Sequence, residues 1–286
     1  MRYAVVGGDR RAVLLAGQLA AEGHRVHSWA LEKAELPPAV TKDSTLQAAG
    51  YGADCVILPA PAEKGGLLYA PLGLESPPME EVLAALWPGS PVVGGGFSGE
   101  SVRAALRHKL RIEDVLRRPD YLIPNAAITA EGALGELLRE SERTILGSRC
   151  LVTGWGRIAK PLSLRLAALG ARVTVAARSR ADRAAAEALG LTALDYGALE
   201  GFAGELDFVV NTVPARVLTD ALLCCLPGEA LLLELASPPG GFDALLAKNI
   251  GLRVLQAPGL PGKSAPGSAA ALLRRTIAQI MAEQVE

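Results

Sequence analysis

The chain is poor in rings, with 4 Phe, 3 Trp and 5 Tyr among 286 residues. So few aromatics argue against a surface that stacks unpaired bases. Charge of either sign is not in surplus: 29 Lys and Arg face 30 Asp and Glu. That balance gives no general attraction to phosphate backbones or anionic membranes, so neither nucleic acid nor a membrane is an expected partner. No apolar run approaches the roughly 20 residues of a membrane span; the longest, around Cys150–Val152 and Ala230–Leu235, are strand-sized. Met1-Arg2 leads straight into a short apolar run, which is not the order of a signal peptide. The cysteines are Cys55, Cys150, Cys224 and Cys225, with no CxxC pair. Reduced thiols in the cytoplasm, and no metal site, are the simplest reading. The histidines are His24, His27 and His108, all in the first half, where they read as structural or solvated. Two-domain 2-hydroxy-acid dehydrogenases place a His acid/base late in the chain, so that chemistry is disfavoured. No Ser-His-Asp order, HExxH or Walker A sequence occurs, and no catalytic residue is named.

What is present is an alternation of short apolar runs with Ala- and Leu-rich amphipathic stretches, the pattern of βαβ units. Strands are expected at Tyr3–Val6, Val26–Trp29, Cys55–Leu58 and Pro91–Gly94, with a helix from Arg11 to Glu22. Glu63–Pro78, rich in Gly and Pro, reads as a long loop, and Asn125–Glu142 as a helix. The pattern then restarts. Strands are expected at Cys150–Thr153, Arg172–Ala176, Phe208–Asn211, Ala230–Glu234 and Leu252–Leu255, and helices at Arg157–Leu169, Arg180–Leu189, Thr219–Cys225 and Ser268–Val285. The expectation is an α/β protein of two doubly wound parallel-sheet domains. Residues 1–125 form a flavodoxin-like substrate domain and 126–267 a Rossmann dinucleotide-binding domain, with 125–142 as the helix between them. The helix over 268–286 can pack back on the first domain.

The strongest local motif is Gly154-Trp155-Gly156-Arg157-Ile158-Ala159, a G-x-G-x-x-A set between an expected strand and an expected helix. In that setting Gly154 makes the tight turn, Gly156 lets the backbone approach a diphosphate, and Ala159 keeps helix and strand close. The helix N-terminus, with Trp155, Arg157 and Ile158 around it, then offers N–H groups to the phosphates. Sites for NAD carry a carboxylate at the end of the second strand; Ala177 stands there, followed by Arg178-Ser179-Arg180. A guanidinium and a hydroxyl at that place suit the 2′-phosphate of NADP. Later strand ends converge on the same crevice, adding Thr212, Val213, Pro214, Ala236 and Gly259. In the first domain, Gly7-Gly8-Asp9-Arg10 and Gly94–Gly99 are further glycine turns. Each is read as an anion site, the first helped by Arg10 or Arg11, the second a nest of amides including Ser98 and Gly99, against plain turns with Asp9 as a helix cap.

These residues resemble the family of dipicolinate synthase A subunits. The likeness rests on Val6–Arg10, Ile57–Ala60, Phe97–Gly99 and Pro124–Gly132, and most specifically on Leu235–Asp243 and Ala257–Gly262. The family tends to have Arg at the place of Pro238 and Lys near Gly267; Lys263 is the available substitute. The resemblance implies NADP-dependent oxidation of dihydrodipicolinate to dipicolinate for spore formation, in the cytoplasm of the mother cell. It also implies the B subunit of dipicolinate synthase as partner and a homo-oligomer as the assembly. A small dicarboxylate substrate would be held by Arg10, Ser98, Gly99, Asn125, Glu131 and Lys263. Two alternatives stay open: another two-domain NADP oxidoreductase of the shikimate- or hydroxy-acid-dehydrogenase kind, and a nucleotide-binding protein without its own chemistry.

Overall fold

A computed structural model describes residues 1–283; the end of the expected last helix, from Gln284 on, lies outside the described residues. The chain divides into two compact units, Met1–Asn125 with Ala265–Glu286, and Ala126–Ser264.

The first unit holds β1 (Arg2–Val6), α1 (Arg10–Ala21), β2 (Arg25–Trp29), β3 (Val40–Lys42), α2 (Leu46–Gly50), β4 (Cys55–Ile57), the hairpin β5 (Glu63–Lys64) and β6 (Leu67–Leu68), α3 (Met79–Ala84), β7 (Pro91–Gly94), α4 (Gly99–Arg107) and β8 (Arg111–Asp114). Its six-stranded sheet is parallel throughout, in the order β3-β2-β1-β4-β7-β8. The edge strands β3 and β8 are absent from the sequence expectation. Val-Thr-Lys and Arg-Ile-Glu-Asp are short and polar, with Val40 the one buried residue in the two strands, as suits the edges of a sheet. The 63–78 loop also differs: it folds the hairpin over the carboxyl end of the sheet. Leu68, buried, lies against Gly7, and Gly8 N–H donates to Tyr69 O at 2.9 Å.

Helix α5 (Pro119–Glu140) runs from the first unit into the second. It starts six residues before the expected Asn125, with Pro124 inside it. A proline removes one helical hydrogen bond; here the preceding turn is anchored by buried Tyr121 and by the bond from Leu122 N–H to Arg118 O, so the helix continues through it.

The second unit contains β9 (Arg149–Thr153), α6 (Ala159–Ala168), β10 (Arg172–Ala176), α7 (Arg180–Ala188), β11 (Thr192–Leu194), β12 (Phe208–Asn211), α8 (Asp220–Cys225), β13 (Leu231–Glu234), α9 (Ala244–Asn249), β14 (Arg253–Gln256) and α10 (Leu260–Ser264). The strand order β11-β10-β9-β12-β13-β14 is that of a Rossmann sheet. Its central strands are apolar without interruption because both faces are covered. Phe208 and Val210 face a core with Trp155, Leu162 and Leu166, while Val209 faces the other with Leu222, Leu232 and Ala247. Finally α11 (Pro266–Glu283) returns to the first unit and packs against α1.

Candidate functional site

The second unit builds its site from the turn after β9. Gly154 has φ +85°, and a Cβ there would lie 2.9 Å from Val213 Cγ2. Its N–H donates to Ala176 O at 2.7 Å, drawing the turn against β10. The Trp155 ring is buried in the core among Ala130, Ala133 and Leu137, so only its backbone lines the turn. A Cβ on Gly156 would meet nothing within 4 Å, leaving a cradle open beside the chain. The helix that follows differs from its neighbours. Ser179, Thr219 and Asp243 each cap α7, α8 and α9 with a side-chain acceptor, but no side chain caps α6. Within the first turn of α6, Lys160 N–H donates to Gly156 O and Leu162 N–H to Ile158 O, each at 3.1 Å, and Pro161 has no N–H. What the cradle meets is the backbone of the glycine turn and the positive dipole end of the helix, with Arg157 and Lys160 exposed close by. This arrangement fits the diphosphate of a dinucleotide.

One strand over, Ala177 is 2% exposed and its N–H donates to Leu194 O at 3.1 Å. No carboxylate occupies this place. Arg178, Ser179 and Arg180 are exposed. Ser179 Oγ accepts the Asp182 N–H at 3.4 Å as the cap of α7, so the oxygen is engaged while its O–H can still donate. Two residues outside the sequence expectation join the group, Arg183 and Tyr196. Burial raises the Tyr196 phenol above its ordinary pKa, against an opposing backbone contact at Gly154 and the charge of Arg178.

At the ends of β9, β12 and β13 lies a buried polar network. Thr153 Oγ1 donates to Asn211 Oδ1 at 2.5 Å, and Asn211 Nδ2 donates to Val213 O at 2.9 Å and to Glu234 Oε1 at 2.6 Å. Glu234 also accepts Ala236 N–H and Gly241 N–H, each at 2.8 Å. Thr212 closes the set, with its hydroxyl donating to Thr153 O at 2.7 Å. The network sets the course of the chain through Thr212, Val213 and Ala236, three of the expected cofactor residues. Pro214 follows the end of β12 and Gly259 the end of β14, and both are exposed. A cavity of about 190 Å³ opens beside Glu234, Ala236, Pro238, Gln256 and Pro258. The signal for Asn211 and Glu234 was visible in principle: each is the polar last residue of an otherwise apolar strand.

In the first unit both glycine turns are engaged by the chain's own carboxylates, and at Gly7-Gly8 the alternative of a turn with Asp9 as helix cap is the one seen. The anion place at Gly7-Gly8 is filled by the chain's own Asp9, whose carboxylate caps α1 through Arg11 N–H at 3.0 Å. Arg11 grips the same carboxylate through Nε at 2.9 Å and Nη2 at 2.9 Å. Burial alone would raise the Asp9 pKa, but the hydrogen bonds and charge of Arg11 outweigh it and hold it low. The cation beside the turn is thus Arg11 rather than Arg10, which is exposed at the start of α1. The glycine nest is likewise occupied. Ser98 N–H donates to Glu63 Oε1 at 2.6 Å and Gly96 N–H to Asp114 Oδ1 at 2.9 Å. Ser98 Oγ caps α4, of which Gly99 is the first residue. As folded, the amides of Gly96 and Ser98 serve internal carboxylates, that of Ser98 through Glu63 on the hairpin. Of the other expected substrate residues, Asn125 is half-buried on α5 and Lys263 exposed on α10. Glu131 pairs with Arg165 of α6 at 3.1 Å.

Residues 2–116 match the family described as the N-terminal domain of the dipicolinate synthase A subunit. The curated A subunit of dipicolinate synthase from Bacillus subtilis (strain 168) is 29% identical over 288 residues, covering 99% of this chain and 96% of that protein. The chain is a relative of the dipicolinate synthase A subunits. The crystal structure of the A subunit from Bacillus halodurans superposes with a TM-score of 0.88 at 26% identity, covering 98% of this chain and 97% of the other. Beyond the dipicolinate synthases, the transhydrogenase of Sinorhizobium meliloti shares the fold, with a TM-score of 0.73 at 15% identity over 99% of this chain and 94% of the other. Among the described residues of this dipicolinate synthase relative, no group of three or more His, Cys, Asp or Glu side chains could hold a metal, and no helix is long and apolar enough to cross a membrane.

Proposed function

We propose that the chain oxidises a dihydrodipicolinate to dipicolinate with NADP as hydride acceptor. One observation carries the cofactor half of this reading: α6, unlike α7, α8 and α9, lacks a side-chain cap where the Gly154–Gly156 turn leaves an open cradle. The residues present fit a dinucleotide there. The backbone of the Gly154–Ile158 turn and the positive end of α6 would hold the diphosphate, Arg178 with Ser179 the 2′-phosphate, and the chain at Thr212–Pro214, Ala236 and Gly259 would line the reactive end. The chemistry supplied by a bound NADP would be hydride acceptance from a ring carbon, with one proton released as the ring becomes aromatic, so that dihydrodipicolinate and NADP would give dipicolinate, NADPH and a proton. Aromatisation supplies driving force, so the demand for a strong base is small. Asn211 and Glu234 do not fill that role: each is buried and already hydrogen-bonded, which makes them supports for the site. Lys263, exposed on α10, is our assignment for a substrate carboxylate.

The family supports the substrate half, and the naming of its members as A subunits points to a B subunit working with them in spore formation. The test is a spectrophotometric assay of the purified chain, alone and with the B subunit, offered dihydrodipicolinate and either NADP or NAD. Dipicolinate and NADPH should appear together. Turnover of keto acids without turnover of dihydrodipicolinate would overturn the reading, as would equal use of NAD.

A further inference from the structure

We propose that Arg183 is a positioning residue that sets the preference for NADP by fixing Arg178, without itself meeting the 2′-phosphate; this rests on the NADP reading above. Arg183 lies in the first turn and a half of α7, where a cation opposes the helix dipole. Its placement therefore needs a compensating contact. The side chain is 18% exposed, and its Nη1 donates to Ala177 O at 2.6 Å, Arg178 O at 2.9 Å and Asp195 Oδ2 at 2.8 Å. Two of these three acceptors are the backbone carbonyls of the turn that presents Arg178.

The third acceptor extends the link. Asp195 Oδ1 accepts Gly197 N–H at 3.2 Å and so caps the short turn Tyr196–Ala198. One guanidinium thereby ties the turn carrying Arg178 to the turn carrying Tyr196, whose phenol faces the Gly154 backbone and the Arg178 charge. Two chain segments around the adenosine end of the expected cofactor are held in register by one side chain. An exposed ion pair with Asp195 alone would contribute little. The carbonyl contacts are different in kind: they fix the backbone at residue 178 and thus the direction in which its side chain leaves. A pinned backbone lowers the ordering that Arg178 must undergo when phosphate arrives.

The test is a double-mutant cycle on binding. Dissociation constants for NADP and NAD are measured calorimetrically for wild type, Arg178→Ala, Arg183→Ala and the double variant, with thermal melts of each. Arg183→Ala should weaken NADP by about two- to twelvefold, the cost of ordering one freed rotamer-rich side chain. It should leave NAD within about twofold and add nothing to the NADP loss once Arg178 is Ala. Arg183→Lys, which keeps a donor near the carbonyls, should recover most of the affinity. If Arg183→Ala folds poorly, Asp195→Asn reads the same link by a smaller, NADP-specific loss. Equal weakening of NADP and NAD would mean a merely structural role and overturn the proposal. Full additivity with Arg178→Ala would mean that Arg183 meets the phosphate directly, and would overturn it too. If Arg178→Ala leaves the ratio of the two affinities unchanged, the cofactor reading itself fails and this inference with it.

Discussion

Gly241→Ala is the sharpest probe of the buried network. Gly241 is not among the residues with positive φ, so the backbone accepts alanine and any penalty is steric. The added Cβ would lie closer than 3.0 Å to Cγ, Nδ2 and Oδ1 of Asn211 at once. Asn211 is fully buried and cannot swing to solvent. Making room displaces its amide from Glu234 and Val213, and shifts the Gly241 N–H that donates to Glu234. Overpacking costs about 1–3 kcal/mol, and losing a hydrogen bond to a charged group about 1.5–3 kcal/mol. Together they make roughly 2.5–6 kcal/mol, or about 2–4 °C of Tm for each kcal/mol. Gly201→Ala serves as the control, since its Cβ would meet nothing within 4 Å. Urea unfolding of both variants at neutral pH decides the matter. A Gly241→Ala midpoint shift no larger than that of Gly201→Ala would refute the claim that Asn211 and Glu234 form a rigid support.

Three further outcomes are expected. Gly156→Val should fold as wild type does, because the position opens on empty space, yet should abolish dinucleotide binding in calorimetry; normal binding would remove the cradle from the site. Arg178→Ala should weaken NADP by about ten- to a hundredfold, from the about 1.5–3 kcal/mol of a charged hydrogen bond, and leave NAD unchanged in the same titrations. Asp9→Asn should destabilise the first unit by leaving half-buried Arg11 without its counter-charge. The Asp9 carboxyl is held low in the folded state, so its stabilisation is present above the unfolded value of about 3.9 and is lost as pH falls through the lower folded value. Unfolding curves of wild type and Asp9→Asn should therefore converge as pH drops below about 4; a gap that persists in acid would argue against the ion pair.

The fold class and the glycine turn were legible because both are local. A buried parallel strand declares itself as an apolar run, and Gly154–Gly156 stands where strand meets helix. Elements without that signature escaped: β3 and β8 are polar edge strands, and α5 runs through a proline that reads as a stop. The candidate site was legible only where a side chain acts on its own neighbourhood. Glu63 reaches Ser98 across 35 residues, and Glu234 reaches Asn211 across 23, so no spacing in the sequence announces either. Arg183 is local to Arg178, but its role depends on Asp195, which only the pairing of β10 with β11 brings near.

Helix α11 has a consequence for how the polypeptide is made. It completes the first unit, laying Ala269, Leu272, Leu273 and Ile277 into buried positions, with Arg274 paired to Glu22 and Arg118 paired to Glu283. Domains generally fold in the order in which the ribosome delivers them. Here the inner stretch 126–264 is contiguous, whereas the unit built on the first 125 residues is completed only by a helix translated after it. The nascent N-terminal sheet thus spends the synthesis of an entire second unit with the face of α1 uncovered. A ribosome that stalls past residue 264 would release a chain whose damage lies in the part it made first.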